Sequence, residues 1–220
     1  MLNQIFLVPL HHHKYMMNSI DTIIQRIKSS NNGTIFFVAD FAKDGNDKYI
    51  SRLLSKDLVA KGLLMKIANG IYFKPEVTRF GVLQPSIDKI AHAIAKRDRA
   101  QILPTGDTAL YQLGFSTQIP MRHVYLTSGS DRQITIGDHI LSFLHRTPKN
   151  FLYKNKVMAV LVQALRTIGN DRVTDADKAR AKELVKTIIA EGGYEHDITL
   201  PPLWIRKLLL ELKKEIDNAQ

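Results

Sequence analysis

The stretch that most constrains the fold is residues 46–75, NDKYISRLLSKDLVAKGLLMKIANGIYFKP. Its first half places Ile50, Leu53, Leu54 and Leu58 at helical spacing, with Val59 beside Leu58. Lys48, Arg52 and Lys56 recur every four residues on the other face. Such a helix has one face anchored in a core and the other polar and cationic. Asn46 or Asp47 caps it and Gly62 stops it. Two short apolar pieces then flank Ala68, Asn69 and Gly70, and Pro75 closes the unit. The pattern is helix, stop, hairpin.

What precedes it completes a larger motif. Ile20, Ile23, Ile24 and Ile27 follow Ser19, a candidate N-cap, at helical spacing and end at a Ser-Ser-Asn-Asn-Gly turn. Thr34, Ile35, Phe36 and Phe37 are β-prone, and residues 38–42 read as a short second helix. Helix, strand, short helix, turn, helix and hairpin within about sixty residues is the order of a winged helix-turn-helix, whose third helix lies in the major groove. That reading assigns Lys48, Ser51, Arg52, Ser55 and Lys56 to the outer face of the helix, and Lys66 and Asn69 to the hairpin tip. Phosphate contacts would supply salt-dependent affinity, and side chains on the outer face would reach base edges. The competing reading of the same charges is a solvated helix face.

Charge favours the first reading. Residues 17–80 hold ten Lys and Arg against six Asp and Glu, the largest share of the net charge of +10. There is no cysteine, which removes disulfides, thiolate catalysis and Cys-based zinc sites. No apolar run reaches the length of a membrane span, and the start has neither a basic region nor a small-residue cleavage site. The expectation is a cytoplasmic protein with no membrane partner. Residues 1–16 read as a disordered leader, with His11, His12 and His13 either part of it or a metal site.

Beyond Pro75, residues 76–85 hold Gly81 and end in a second proline, and read as a linker. Residues 86–220 form the second domain. Ile87, Ile90, Ala91, Ile94 and Ala95 make a buried helix face, ending in Lys96, Arg97, Asp98 and Arg99. That cluster either complements the helix dipole or touches phosphate. Thr105, Gly106 and Asp107 either cap the next helix or hold an anion. Residues 123–127, 133–136 and 140–144 read as three antiparallel strands joined by tight turns. The last third is helical, with stops at Gly169 and Gly192. The fold class is therefore α+β: an N-terminal winged helix-turn-helix, then a mixed domain with a small antiparallel sheet and C-terminal helices.

No phosphate loop, dinucleotide fingerprint or metalloprotease motif is present. No catalytic residue, metal ligand or cofactor is assigned, and the protein is expected not to be an enzyme. His123, His139 and His145 could share one sheet, as structural residues or as an acid-base or metal group.

With these residues in view, the chain resembles the AbiEi-type antitoxins of type IV toxin–antitoxin and abortive-infection systems, in the branch with an N-terminal winged helix. The resemblance lies in the wing strand Gly70-Ile71-Tyr72, in Gly81-Val82-Leu83-Gln84-Pro85-Ser86, in Ile90-Ala91-His92-Ala93-Ile94-Ala95, in Pro104-Thr105-Gly106-Asp107-Thr108-Ala109-Leu110 and in Leu113-Gly114-Phe115-Ser116-Thr117-Gln118-Ile119-Pro120. It covers roughly residues 19–170. It implies a repressor of its own promoter that binds inverted repeats in double-stranded DNA, as two copies on the DNA. It also implies that residues 86–220 are an antitoxin domain opposing a nucleotidyltransferase-like toxin without a stable complex. The alternative is a winged-helix regulator or a protein-interaction module with no toxin; an enzymatic second domain is a third reading.

Overall fold

The computed structural model describes residues 10–218 of the 220-residue chain. The architecture is mixed α and β, with small sheets and C-terminal helices, and divides after Ser86 into two compact units.

Helix α1 spans Leu10–Ser29. Ser19 therefore lies inside the helix rather than capping it, and residues 10–16, expected to be disordered, are helical. No glycine or proline interrupts residues 10–29, and Pro9 stands just before them. The remainder of the expected leader, residues 1–9, and the side chains of His11, His12 and His13 lie outside the described residues.

The first unit continues with β1 (Ile35–Phe37), a 3-10 turn (Val38–Phe41) and α2 (Asp47–Arg52), which runs on into a π-helical turn (Leu53–Leu58). Asn46 is the N-cap, its side chain accepting from the Tyr49 N–H at 2.8 Å. Strands β2 (Met65–Ala68) and β3 (Ile71–Phe73) follow. The sheet order is β1-β3-β2, antiparallel throughout, with Phe36 and Lys66 both opposite Tyr72. Gly70 turns the hairpin at φ 74°, a left-handed value that a side chain resists. Ile23 and Ile27 of α1, Phe41, and Ile50, Leu54, Leu58 and Leu64 lose all exposure to one core. Each such side chain contributes about 2 kcal/mol of transfer free energy.

Residues 76–85, expected to be an irregular linker, hold a hairpin of β4 (Glu76–Thr78) and β5 (Gly81–Leu83). The prolines flank it rather than interrupt it, so its ladder keeps every donor it needs. Thr78 sets the turn: its hydroxyl accepts from the Phe80 N–H and donates to the Gly81 carbonyl. Val77, Phe80, Val82 and Leu83 remain exposed.

The second unit opens with α3 (Ile87–Arg97), β6 (Ile102–Thr105) and α4 (Asp107–Gln112), then β7 (Arg122–Thr127), β8 (Arg132–Ile136) and β9 (His139–His145). Its sheet has four strands in the order β6-β7-β9-β8. This corrects the three-stranded antiparallel expectation. Only β8 and β9 form a hairpin; β7 pairs with β9 in parallel and with β6 antiparallel. Residues 128–131 do not reverse the chain in place but carry it over the end of β9. Asp131 accepts from the His145 N–H at 2.5 Å, and the His145 ring meets the Gly129 carbonyl at 2.8 Å.

Helices α5 (Lys156–Ile168), α6 (Asp175–Glu191), α7 (Tyr194–Asp197) and α8 (Leu203–Asp217) complete the unit. Leu161, Val162, Val185, Ile188, Ile205 and Leu209 share its main core with Ala109 of α4. The start of α5 is held by a carboxylate. Asp197, with no exposure, accepts from the backbone N–H groups of Lys154 (2.9 Å) and Asn155 (2.8 Å). Asp197→Ala leaves both donors without that partner and should lower stability by about 3 kcal/mol in urea unfolding. Asp175→Ala, at an exposed ion pair, should change it by less than about 0.5 kcal/mol.

Candidate functional site

Two cations of the first unit serve the fold itself. Arg26 and Lys74 work inside the fold. Arg26 donates to the Asp40 carbonyl at 2.6 Å and lies over the Phe41 ring. Lys74 donates to the carbonyls of Lys28 and Ser30 at 2.8 and 2.7 Å, covering the last turn of α1. By contrast, Lys48, Arg52, Lys56 and Lys66 are exposed, and none has a carboxylate within 4.0 Å among the described residues.

The π turn aligns the first three. A step of four residues oversteps an α-turn of 3.6. It falls short of a π turn, whose hydrogen bonds run from i to i+5. The two offsets oppose each other, so Lys56 swings back over Lys48 instead of drifting around the axis. The same geometry keeps Ile50, Leu54 and Leu58 in one buried row.

Ser51 and Ser55 are half-buried at the edge of this face. Ser55 faces inward: its hydroxyl lies 3.4 Å from the Arg52 carbonyl and hydrogen-bonds the Tyr72 hydroxyl, whose pKa burial raises. Asn69 is exposed at the hairpin tip beside Gly70. The helix row and the tip thus form one unit's polar surface with four unpaired cations.

The second unit holds a cleft of about 830 Å³, within the range of small-molecule sites. Sequence reading did not find it. One wall is α3, which presents Asp88, His92 and Lys96 at successive four-residue steps. Asp88 is the centre of a hydrogen-bond group. It accepts from the Tyr125 hydroxyl (2.9 Å) and the Gln112 amide (2.8 Å), and its carboxylate lies 3.4 Å from His92 Nδ1. The hydrogen bond from His92 holds the Asp88 carboxyl below the usual range, against the opposing effect of burial. The same bond raises His92, while burial and the nearby Lys156 ammonium pull it down. The spacing of four along α3 was a legible signal; the partners Gln112 and Tyr125 come from elements distant in sequence.

The basic cluster at the end of α3 is divided. Asp98 takes Arg97 at 2.8 Å and also pairs with Arg132, and Lys96 alone lines the cleft. Thr105 donates to Gln163 at 3.2 Å, and Gly106 at the N-cap of α4 makes no side-chain cap bond, so the capping expected there is absent.

Of the three sheet histidines, two meet. The His123 and His139 rings lie 5.4 Å apart, and His123 Nε2 and His139 Nδ1 are buried without hydrogen-bond partners. His145 is engaged elsewhere, with Gly129. Among the described residues no group of three or more His, Asp or Glu could hold a metal ion, and no helix is long and apolar enough to cross a membrane.

With both surfaces described, the chain can be placed in a class: an α+β protein with a cationic helix-and-hairpin unit followed by a unit bearing a cleft. It belongs to a family of unknown function (DUF6088), whose model matches residues 22–191. The match runs from α1 to the end of α6, across both units. No curated protein matches the chain.

The two best-defined histidines should titrate on opposite sides of 6.5, the ordinary value. Burial, and then the charge of His139, holds His123 low. Between its folded value and 6.5 only the unfolded chain takes up the proton, so stability present above 6.5 is lost as pH falls. His92 is raised, so its contribution is complete below 6.5 and lost as pH rises through its folded value. Ring-proton NMR titration of the two residues checks both signs.

Proposed function

We propose that this protein is a double-stranded-DNA-binding repressor whose first unit is a winged helix-turn-helix, and that it acts as the antitoxin of a type IV toxin–antitoxin pair. The observation that carries the DNA half is the exposed row of Lys48, Arg52 and Lys56, four residues apart and without carboxylate partners, followed by a hairpin with Lys66 and Asn69 on a three-stranded antiparallel sheet. A helix in the major groove needs such a face. An adjacent hairpin with a cation and an amide is suited to phosphate or the minor groove. In this reading Lys48 and Arg52 reach base edges with Ser51. Lys56 and Lys66 contact phosphate, and Ser55 supports the helix against Tyr72. A protein-docking face would instead be apolar, and this one carries charge.

The antitoxin half rests on the resemblance to AbiEi-type antitoxins. The separately encoded partner would be a nucleotidyltransferase-like toxin, opposed by the second unit without a stable complex. Promoter inverted repeats would seat two copies. The setting would be cytoplasmic, with no cofactor and no membrane.

Duplex DNA from the region upstream of the gene tests the first half. Log affinity should fall linearly with log salt, with a slope of about −0.9 for each phosphate neutralised. The double variant Lys48→Ala/Arg52→Ala should bind at least about 30-fold more weakly with an unchanged melting temperature. Undiminished binding by that folded variant would sink the assignment. For the second half, co-expression with the product of an adjacent nucleotidyltransferase-like gene should rescue growth; failure to rescue would leave a regulator without an antitoxin role.

A further inference from the structure

The cleft of the second unit is used by neither half of that reading. Its lining includes Lys96 and Lys156, the latter the first residue of α5. Neither has a carboxylate within 4.0 Å among the described residues. Asp88 is the one carboxylate in the lining, and its oxygens are already taken by Tyr125, Gln112 and His92. Those hydrogen bonds keep Asp88 ionised and turned toward His92, so its charge is balanced by His92 and leaves the two lysines unpaired. Lys96 and Lys156 line this space without a carboxylate partner, and His92 lines it beside Asp88.

The lining is also aromatic: Phe151 and Tyr153 belong to it, packed against Leu103 and Ala159. Flat rings of this kind accept another flat ring by offset stacking, which contributes about 1 kcal/mol beyond area burial. The amides of Gln101 and Asn150 line the cleft as well. The Asn150 nitrogen donates to the Thr147 carbonyl at 3.1 Å, which turns its oxygen free to accept. A lining of unpaired lysines, aromatic rings and side-chain amides makes a ligand with a planar heterocycle and one anionic group the best fit. A purely apolar ligand would leave two lysines desolvated, and a bare anion would leave the rings unused.

We propose that this cleft binds a nucleoside monophosphate, its base against Phe151 and Tyr153 and its phosphate between Lys96, Lys156 and His92. Phosphate is the anion suited to several ammonium donors at once. Bases present edges that side-chain amides can read. The site is independent of the DNA surface, since its residues all belong to the second unit.

The test is calorimetric titration of the full chain at low ionic strength with AMP, GMP, CMP and UMP in turn, and with adenosine, inorganic phosphate and a short single-stranded RNA. At least one monophosphate should saturate one site per chain, more tightly than adenosine or phosphate. Lys96→Gln/Lys156→Gln should weaken it by about tenfold or more with an unchanged melting temperature. Phe151→Leu should weaken it as well. Lys178→Gln/Lys207→Gln, at a separate cleft beside Trp204, should leave it intact. Absence of saturable heat from all four monophosphates overturns the proposal, as does full-strength binding by the folded Lys96/Lys156 variant. Phosphate binding as tightly as the best nucleotide overturns the stacking assignment. RNA binding at least tenfold tighter than any monophosphate overturns the mononucleotide in favour of a strand.

Discussion

The second unit depends on the buried carboxylate of Asp197. A helix start leaves N–H groups without partners, and burying them uncompensated is costly. Here the Asp197 oxygens take the N–H groups of Lys154 and Asn155. The Asn155 side chain then caps the helix at Met158, 3.0 Å away, and its amide donates to Glu191 and to the Gly192 carbonyl. One short segment thereby ties α5 to α6 and α7. Everything downstream follows from where α5 begins. Its buried face supplies Met158, Leu161, Val162 and Leu165 to the core. Its first residue, Lys156, and the preceding Phe151 and Tyr153 are placed along the cleft. Core and cleft are therefore set by the same few hydrogen bonds.

In the first unit the governing constraint is how the helix turns. A continuous α-helix from Asp47 would rotate its lysines away from one another by the end of a third turn. The π turn at Leu53–Leu58 removes that drift, and does so for the leucine row as well as the lysine row. Burial and charge thus stay on opposite faces along the whole element. Net charge alone misjudges this surface. Arg26 and Lys74 count toward the +10 total, yet both are engaged with backbone carbonyls.

Local pattern was legible where a single element decided the outcome. The rows Ile23–Ile27 and Ile50–Leu54–Leu58 and the turn at Gly70 read directly from spacing, and the pattern narrows the cap to Asn46 or Asp47, of which the structure shows Asn46. Where the deciding partner is remote, the sequence was silent. The parallel pairing of β7 with β9 requires residues 128–131 to cross a strand end, and nothing in Ser-Gly-Ser-Asp distinguishes a crossing from a tight reversal. The hairpin at residues 76–85 was hidden by its flanking prolines, which mark its ends and not its interior. The cleft was hidden for the same reason as the sheet: α3, the strand before α4, and α5 each contribute a few residues, and only Asp88, His92 and Lys96 share a readable period.

The cleft also shows why a basic cluster is a poor guide by itself. Residues 96–99 look like one patch. In the fold, Asp98 closes on Arg97 and on Arg132 of the sheet, while Arg99 takes a left-handed backbone at φ 53°. That conformation reverses the chain, and Ala100 N–H returns to the Ala95 carbonyl at 2.9 Å, the closure that ends a helix tightly. Tight closure places Ala100 and Gln101 beside Lys96 on the cleft instead of continuing α3 past it. One residue of the four lines the cleft, and the other three pair with each other and the sheet or turn the chain out of α3.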